Sequence, residues 1–224
     1  METLDLNCQE AAFPLIIWIA MALGTFIMGL LATIINIPLG YDIAILGNQG
    51  AGKTTLWNAI TSKNSDIKQT QDRERIEKTI VTIGGVKRKI KQSYDVSGGE
   101  DSVKHYYEEL CQKKTFIIYI FDSYKYEQDV EYKTDVLGRL RKIGHEISKQ
   151  KEEKNIHIIG SHIDKLANNK KELKNIHAKL ENELLKEINK NFNNQLEKDK
   201  NFILLDLSNK KALTTYIEKK LFNN

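Results

Sequence analysis

The sequence has only two cysteines, Cys8 and Cys111, and a long apolar run separates them, so no disulfide framework is indicated. No Cys/His spacing resembles a zinc site, and the five histidines are scattered. Prolines are as scarce: Pro14 and Pro38 are the whole complement. Basic residues are missing from the first 41 positions, which carry Glu2, Asp5 and Glu10, and no charge of either sign falls between Glu10 and Asp42. That gap sets one segment apart, as a membrane span or, the alternative, a buried core helix, although a mean hydropathy of −0.45 and 29% charged residues describe a soluble chain on average. No internal repeat is present, so a repeat array is excluded as well.

What stands in the gap is FPLIIWIAMALGTFIMGLLATIINIPL, residues 13–39. About 20 apolar residues cross the hydrocarbon core as a helix, and this run exceeds that length. Pro14 suits the first turn of such a helix and Pro38 its end. A cleaved signal peptide would carry a basic start and a shorter apolar stretch, and neither is found. The segment is therefore expected to be a single-pass transmembrane anchor after a short tail, residues 1–12. All 34 lysines and arginines follow it, against 30 acidic residues of which three precede it. This bias places the N-terminus outside (lumenal or periplasmic) and the body, residues 40–224, in the cytoplasm. Ala20 and Gly24 form a small-xxx-small pair of the kind that helps helices associate.

Directly after the anchor, YDIAIL (Tyr41 to Leu46) reads as a buried strand, and Gly47, Asn48, Gln49, Gly50, Ala51, Gly52, Lys53, Thr54 and Thr55 follow it. This is the G-x-x-x-x-G-K-[ST] phosphate loop between a strand and a helix. Its glycines let successive backbone N–H groups face one anion, and the helix start adds its dipole. Lys53 reaches the β- and γ-phosphates, and Thr54 offers its hydroxyl to Mg²⁺.

The polar stretch Ser62 to Arg75 is expected to be a mobile connection. Then IEKTIVTI and VKRKIKQSYDV read as two strands joined by Gly84-Gly85. Helices are predicted over Glu100 to Lys113, around Val136, Leu140, Ile143 and Ile147, along Leu173 to Ile188, and around Leu213 to Leu221. Strands are predicted at Phe116 to Asp122, Asn155 to Gly160 and Phe202 to Leu207. The alternation implies an α/β fold: a six-stranded, mostly parallel sheet flanked by about five helices, after one transmembrane helix.

With these motifs in order, residues 41–210 resemble a small GTPase of the Ras/Arf superfamily, a P-loop NTPase G domain. The resemblance implies GTP/GDP and Mg²⁺ as cofactors. It makes Asp95-Val96-Ser97-Gly98 the DxxG motif, with Asp95 holding Mg²⁺ through water and the Gly98 amide sensing the γ-phosphate. Ser161-His162-Ile163-Asp164, followed by Lys165, stands for [NT]-K-x-D, with Asp164 reading guanine; Roc GTPases carry a similar Thr-His-x-Asp. Ser208-Asn209-Lys210 resembles the loop that contacts the guanine carbonyl. For the switch threonine that reaches Mg²⁺, Thr70 is preferred to Thr82, which falls inside a predicted hairpin strand. Lys53, Thr70 and Gly98 are thus the expected catalytic set. The glutamine that normally orients the attacking water is replaced by Gly99, which implies slow intrinsic hydrolysis helped by an activating partner or a homodimer mate.

An anchor followed at once by an Arf-like body resembles the β subunit of the signal-recognition-particle receptor, or membrane GTPases of bacteria. Three functions compete. One is a GTP/GDP switch docking a protein partner at the membrane through its switch regions. Another is a constitutively GTP-loaded docking subunit. The third, a P-loop ATPase, is opposed by Asp164. Nucleic acid is not an expected partner, because the run Lys87, Arg88, Lys89 and Lys91 is short and lies on a strand.

Overall fold

The computed structural model describes residues 40–61, 73–83, 85–167 and 169–222. The expected anchor and Thr70 lie outside the described residues.

The strands are β1 (Ile43–Gly47), β2 (Arg73–Ile76), β3 (Thr79–Ile83), β4 (Val86–Ile90), β5 (Ser93–Val96), β6 (Phe116–Asp122), β7 (Asn155–Ser161) and β8 (Phe202–Leu204). Six of them form one sheet in the order β2-β5-β1-β6-β7-β8, parallel throughout except for β2 against β5. β3 and β4 form a separate antiparallel ribbon with Val81 opposite Arg88.

The helices are α1 (Lys53–Thr61), α2 (Glu100–His105), α3 (Tyr107–Lys113), α4 (Ser123–Gln128), α5 (Val130–Ser148), α6 (Lys170–Ile188) and α7 (Lys210–Tyr216). Period-two alternation along β1 sorts them into layers. Ala44 and Leu46 face a core shared with α3, α5 and α6, including Leu110, Leu140 and Leu184. Ile43 and Ile45 face the opposite core, built with Trp57 and Ile60 of α1 and Leu213 and Tyr216 of α7. Val136, Leu140, Ile143 and Ile147 are all buried, so the 3.6-residue stripe is the packed face of α5.

Several local features differ from expectation. Each predicted hairpin strand is divided, the first into β2 and β3 and the second into β4 and β5. Beside the second break Tyr41 pairs with the chain, its N–H donating to the Lys89 carbonyl (2.7 Å) and its carbonyl accepting from Lys91 N–H (2.9 Å). The polar stretch read as a connection to Arg75 already enters β2 at Arg73. The single helix expected over Glu100 to Lys113 is two, separated at Tyr106. β8 ends at Leu204 rather than Leu207, since Asp206 folds the chain into a turn. Short α4 was not expected at all; the Asp122 carboxylate caps it by accepting from Lys125 N–H.

Candidate functional site

A cleft of about 520 Å³ is lined by the loop that follows β1, the segment after β5, the end of β7 and the turn after β8. β5 and β6 flank β1 on opposite sides, so successive connections depart in different directions there. Open α/β sheets bind ligands at the carboxyl ends of strands beside such a reversal. The volume falls within the roughly 300–1,000 Å³ typical of small-molecule sites.

At one end lie Gln49, Gly50, Gly52, Lys53, Thr54 and Thr55. Gly52 has φ +99°, a conformation that favours glycine, and a Cβ there would come within 2.3 Å of Leu207 Cδ1, which would have to move aside. α1 begins at Lys53, whose side chain is buried and donates to the carbonyls of Gly47 (3.2 Å) and Asn48 (2.9 Å). Burial pushes its amine down to about 8, with Asp95 opposing and Arg139 reinforcing the shift. Thr54 Oγ1 donates to Asp95 Oδ2 at 2.6 Å, which brings a hydroxyl and a carboxylate to one point beside Lys53. One carboxylate and one hydroxyl fit Mg²⁺, which takes hard oxygen donors and fills its shell with water and phosphate. Among the described residues no group of three His, Cys, Asp or Glu side chains could hold a metal by itself.

The remaining loop residues turn inward. Gly47 N–H donates to the Tyr107 hydroxyl (3.1 Å), and Ala51 is fully buried. Asn48 is buried; its Nδ2 donates to Asp135 Oδ2 (2.7 Å), while its Oδ1 accepts from the Tyr119 hydroxyl (2.6 Å).

Gly98 lies against this loop. A Cβ on it would meet Gln49 N at 2.1 Å, so only glycine allows the contact. Its carbonyl accepts from Arg139 Nη1 at 2.9 Å. Gly99 N–H donates to Ser97 Oγ, and position 99 sends no side chain into the cleft. Thr82 is exposed on β3 opposite Lys87.

The far end is built by Ser161, His162, Asp164 and Ser208. Ser161 Oγ donates to the Phe121 carbonyl (3.0 Å) and lies 2.9 Å from His162 Nδ1; Ser123 Oγ donates to the Ser161 carbonyl. His162 adopts φ +57° and starts a 3₁₀ turn, Ile163–Lys165, that carries exposed Asp164 and Lys165. Asp206 accepts from Ser208 N–H, Ser208 Oγ and Asn209 N–H, and the Ser208 hydroxyl bond holds its carboxyl below the usual range. Asn209 caps α7 by accepting from Ala212 N–H, and Lys210 is the first residue of that helix.

Ser97, Asp206 and Leu207 line the cleft without having been expected there. Asp206 had a readable signal, an Asx turn two residues before Ser208. Leu207 had none, because its contact with Gly52 depends on tertiary packing.

The sequence matches the ADP-ribosylation factor (Arf) family over residues 29–194. No curated relative matches it. In fold it is similar to a chain from the structure of the mammalian SRP receptor, at 15% identity and a TM-score of 0.52, covering 79% of this chain and 98% of that one. Members of the matched family bind GTP and GDP with Mg²⁺. Cleft, phosphate loop and family match agree, and the chain belongs to the ADP-ribosylation factor family of GTPases.

Proposed function

We propose that this protein is a membrane-anchored GTP/GDP switch that docks a protein partner at the cytoplasmic membrane surface and hydrolyses GTP slowly unless assisted. The observation that carries the reading is the cleft itself. It joins Lys53, Thr54 with Asp95, and Gly98 at one end to Asp164 and Ser208 at the other.

In this reading the loop amides and Lys53 cradle the phosphates, and Thr54 and Asp95 hold Mg²⁺. Gly98, which lines the same end of the cleft, would offer its amide to a γ-phosphate. Asp164 accepts from the guanine N1–H and 2-amino group, a pattern adenine does not offer, and ATP would leave that carboxylate unpaired. Gly99 offers no group to orient water, so an activating partner or a second copy supplies what is missing. Gly99 also favours a second reading, a docking subunit that keeps GTP as a structural cofactor. The fold shared with an SRP receptor chain supports the docking role in either case. The apolar segment at residues 13–39 supports the anchor.

The test uses the full chain in detergent with Mg²⁺. Calorimetry is expected to show GTP and GDP uptake with ATP excluded. Asp164→Asn is expected to lower guanine-nucleotide affinity about 100-fold and to favour xanthine nucleotides. Single-turnover hydrolysis is expected to be slow, and to accelerate with membranes and lysate for a switch but not for a static subunit. No uptake of guanine nucleotides by folded protein would remove the whole reading.

A further inference from the structure

One helix grips both segments that frame the phosphate end of the cleft. From α5, Arg139 sends Nη1 to the Gly98 carbonyl (2.9 Å), while its Nε donates to both oxygens of Asp135 at 2.8 Å. Asp135 in turn accepts from Asn48 Nδ2 of the phosphate loop at 2.7 Å. Asn48 is fixed from the other side by the Tyr119 hydroxyl. The chain of contacts is therefore Gly98, Arg139, Asp135, Asn48, with no solvent gap between members.

Its position matters more than its stability. Arg139 is only 6% exposed, whereas the Asp135 side chain is 44% exposed. A buried guanidinium needs its partners, and here they are the Asp135 carboxylate, the Gly98 carbonyl and the Tyr107 hydroxyl. Releasing Gly98 would take a backbone acceptor from a guanidinium that is itself buried, while Asp135 and Tyr107 keep it in place, so the pair resists that movement. Gly98 is also the residue that touches the Gln49 backbone, at a distance no other side chain permits.

We infer that Arg139 and Asp135 are positioning residues that hold Gly98 on the phosphate loop in the place where a γ-phosphate is met, and so set the preference for GTP over GDP. The inference rests on the reading of the cleft as a GTP site. A segment held in its binding position before the ligand arrives loses less freedom on binding, and that gain goes only to the nucleotide that touches the segment. GDP, which lacks the γ-phosphate, takes no benefit from Gly98. The coupling is therefore differential, as a switch requires.

The test compares affinities of the full chain in detergent for a non-hydrolysable GTP analogue and for GDP, both with Mg²⁺. Arg139→Met is expected to weaken the GTP analogue about 10-fold or more, the loss typical of one charge-assisted hydrogen bond, and to change GDP less than about threefold. Arg139→Lys, which keeps a donor for the Gly98 carbonyl, is expected to recover part of the loss. Asp135→Asn is expected to fall between, because it weakens the hold on Arg139 without removing an acceptor. Should Arg139→Met not fold, the other two variants decide on the same ratio. Parallel loss of both nucleotides would show a merely structural role and overturn the inference, as would an unchanged ratio or tighter GTP binding. Wild-type protein that binds neither nucleotide would instead overturn the reading of the cleft.

Discussion

Lys53 is the side chain whose chemistry reaches furthest. Its amine donates to two backbone carbonyls, and burial lowers it from 10.5 to about 8. A depressed lysine destabilises the folded state fully below its folded value. That cost fades as pH rises from about 8 towards 10.5, because the unfolded chain alone then keeps the proton. A polyphosphate reverses the balance by supplying negative charge, so binding near pH 8 to 8.5 draws a proton onto the amine. Calorimetry of nucleotide binding in buffers of different ionisation enthalpy is expected to show net proton uptake, and affinity is expected to fall as pH climbs past 8. Lys53→Ala is expected to abolish the uptake and weaken binding by roughly 10- to 100-fold. Binding with no proton linkage in the wild type would contradict this account. Lys53 and Thr54 were legible in sequence because the loop pattern names them with their strand and helix. Arg139 was not legible: on α5, four residues after Asp135, it reads as one more surface cation, and its burial depends on Gly98, which comes from elsewhere in the chain.

At the scale of elements, α5 offers two glycines with opposite roles. Gly138 is exposed, and a Cβ there would meet nothing within 4 Å. A Cβ on Gly144 would meet Asn191 O and Phe192 Cδ2, both at 2.8 Å, where the turn Asn189–Phe192 crosses the helix. Alanine is worth about 1 kcal/mol over glycine inside a helix, so Gly138→Ala is expected to raise the melting temperature. Gly144→Ala gains the same propensity but drives a methyl into a backbone oxygen that has no rotamer to escape by. Overpacking of this kind costs about 1–3 kcal/mol, so a net loss is expected. Thermal denaturation of both variants at one fixed nucleotide concentration checks the pair, and two shifts of the same sign would refute the packing argument. Sequence reading succeeded on α5 and α6 because long stripes declare a period. It failed on α4, whose six residues are too few for one. It also failed on the split hairpin, where the end of β4 pairs with Tyr41, a partner distant in sequence that no local pattern announces.

For the whole molecule, the charge asymmetry makes a claim about topology that the two cysteines can test. Cys8 precedes the apolar segment, and Cys111 follows it in α3. Cys111 is completely buried, and burial raises its thiol to about 12, so it carries almost no thiolate at neutral pH. A maleimide added to folded protein therefore reports on Cys8 alone. Sealed vesicles with their cytoplasmic face outward place the proposed tail inside and the lysine-rich body outside. An impermeant maleimide is expected to leave the protein unlabelled until detergent opens the vesicles, while external protease removes the body at once. Resistance to alkaline carbonate extraction is expected alongside, because an apolar helix of this length partitions into lipid rather than adsorbing to it. Labelling before detergent would place both ends on one side and refute the single-pass orientation. Release by carbonate would refute the anchor itself, and a GTPase that reaches membranes only through its partner would then replace the anchored switch.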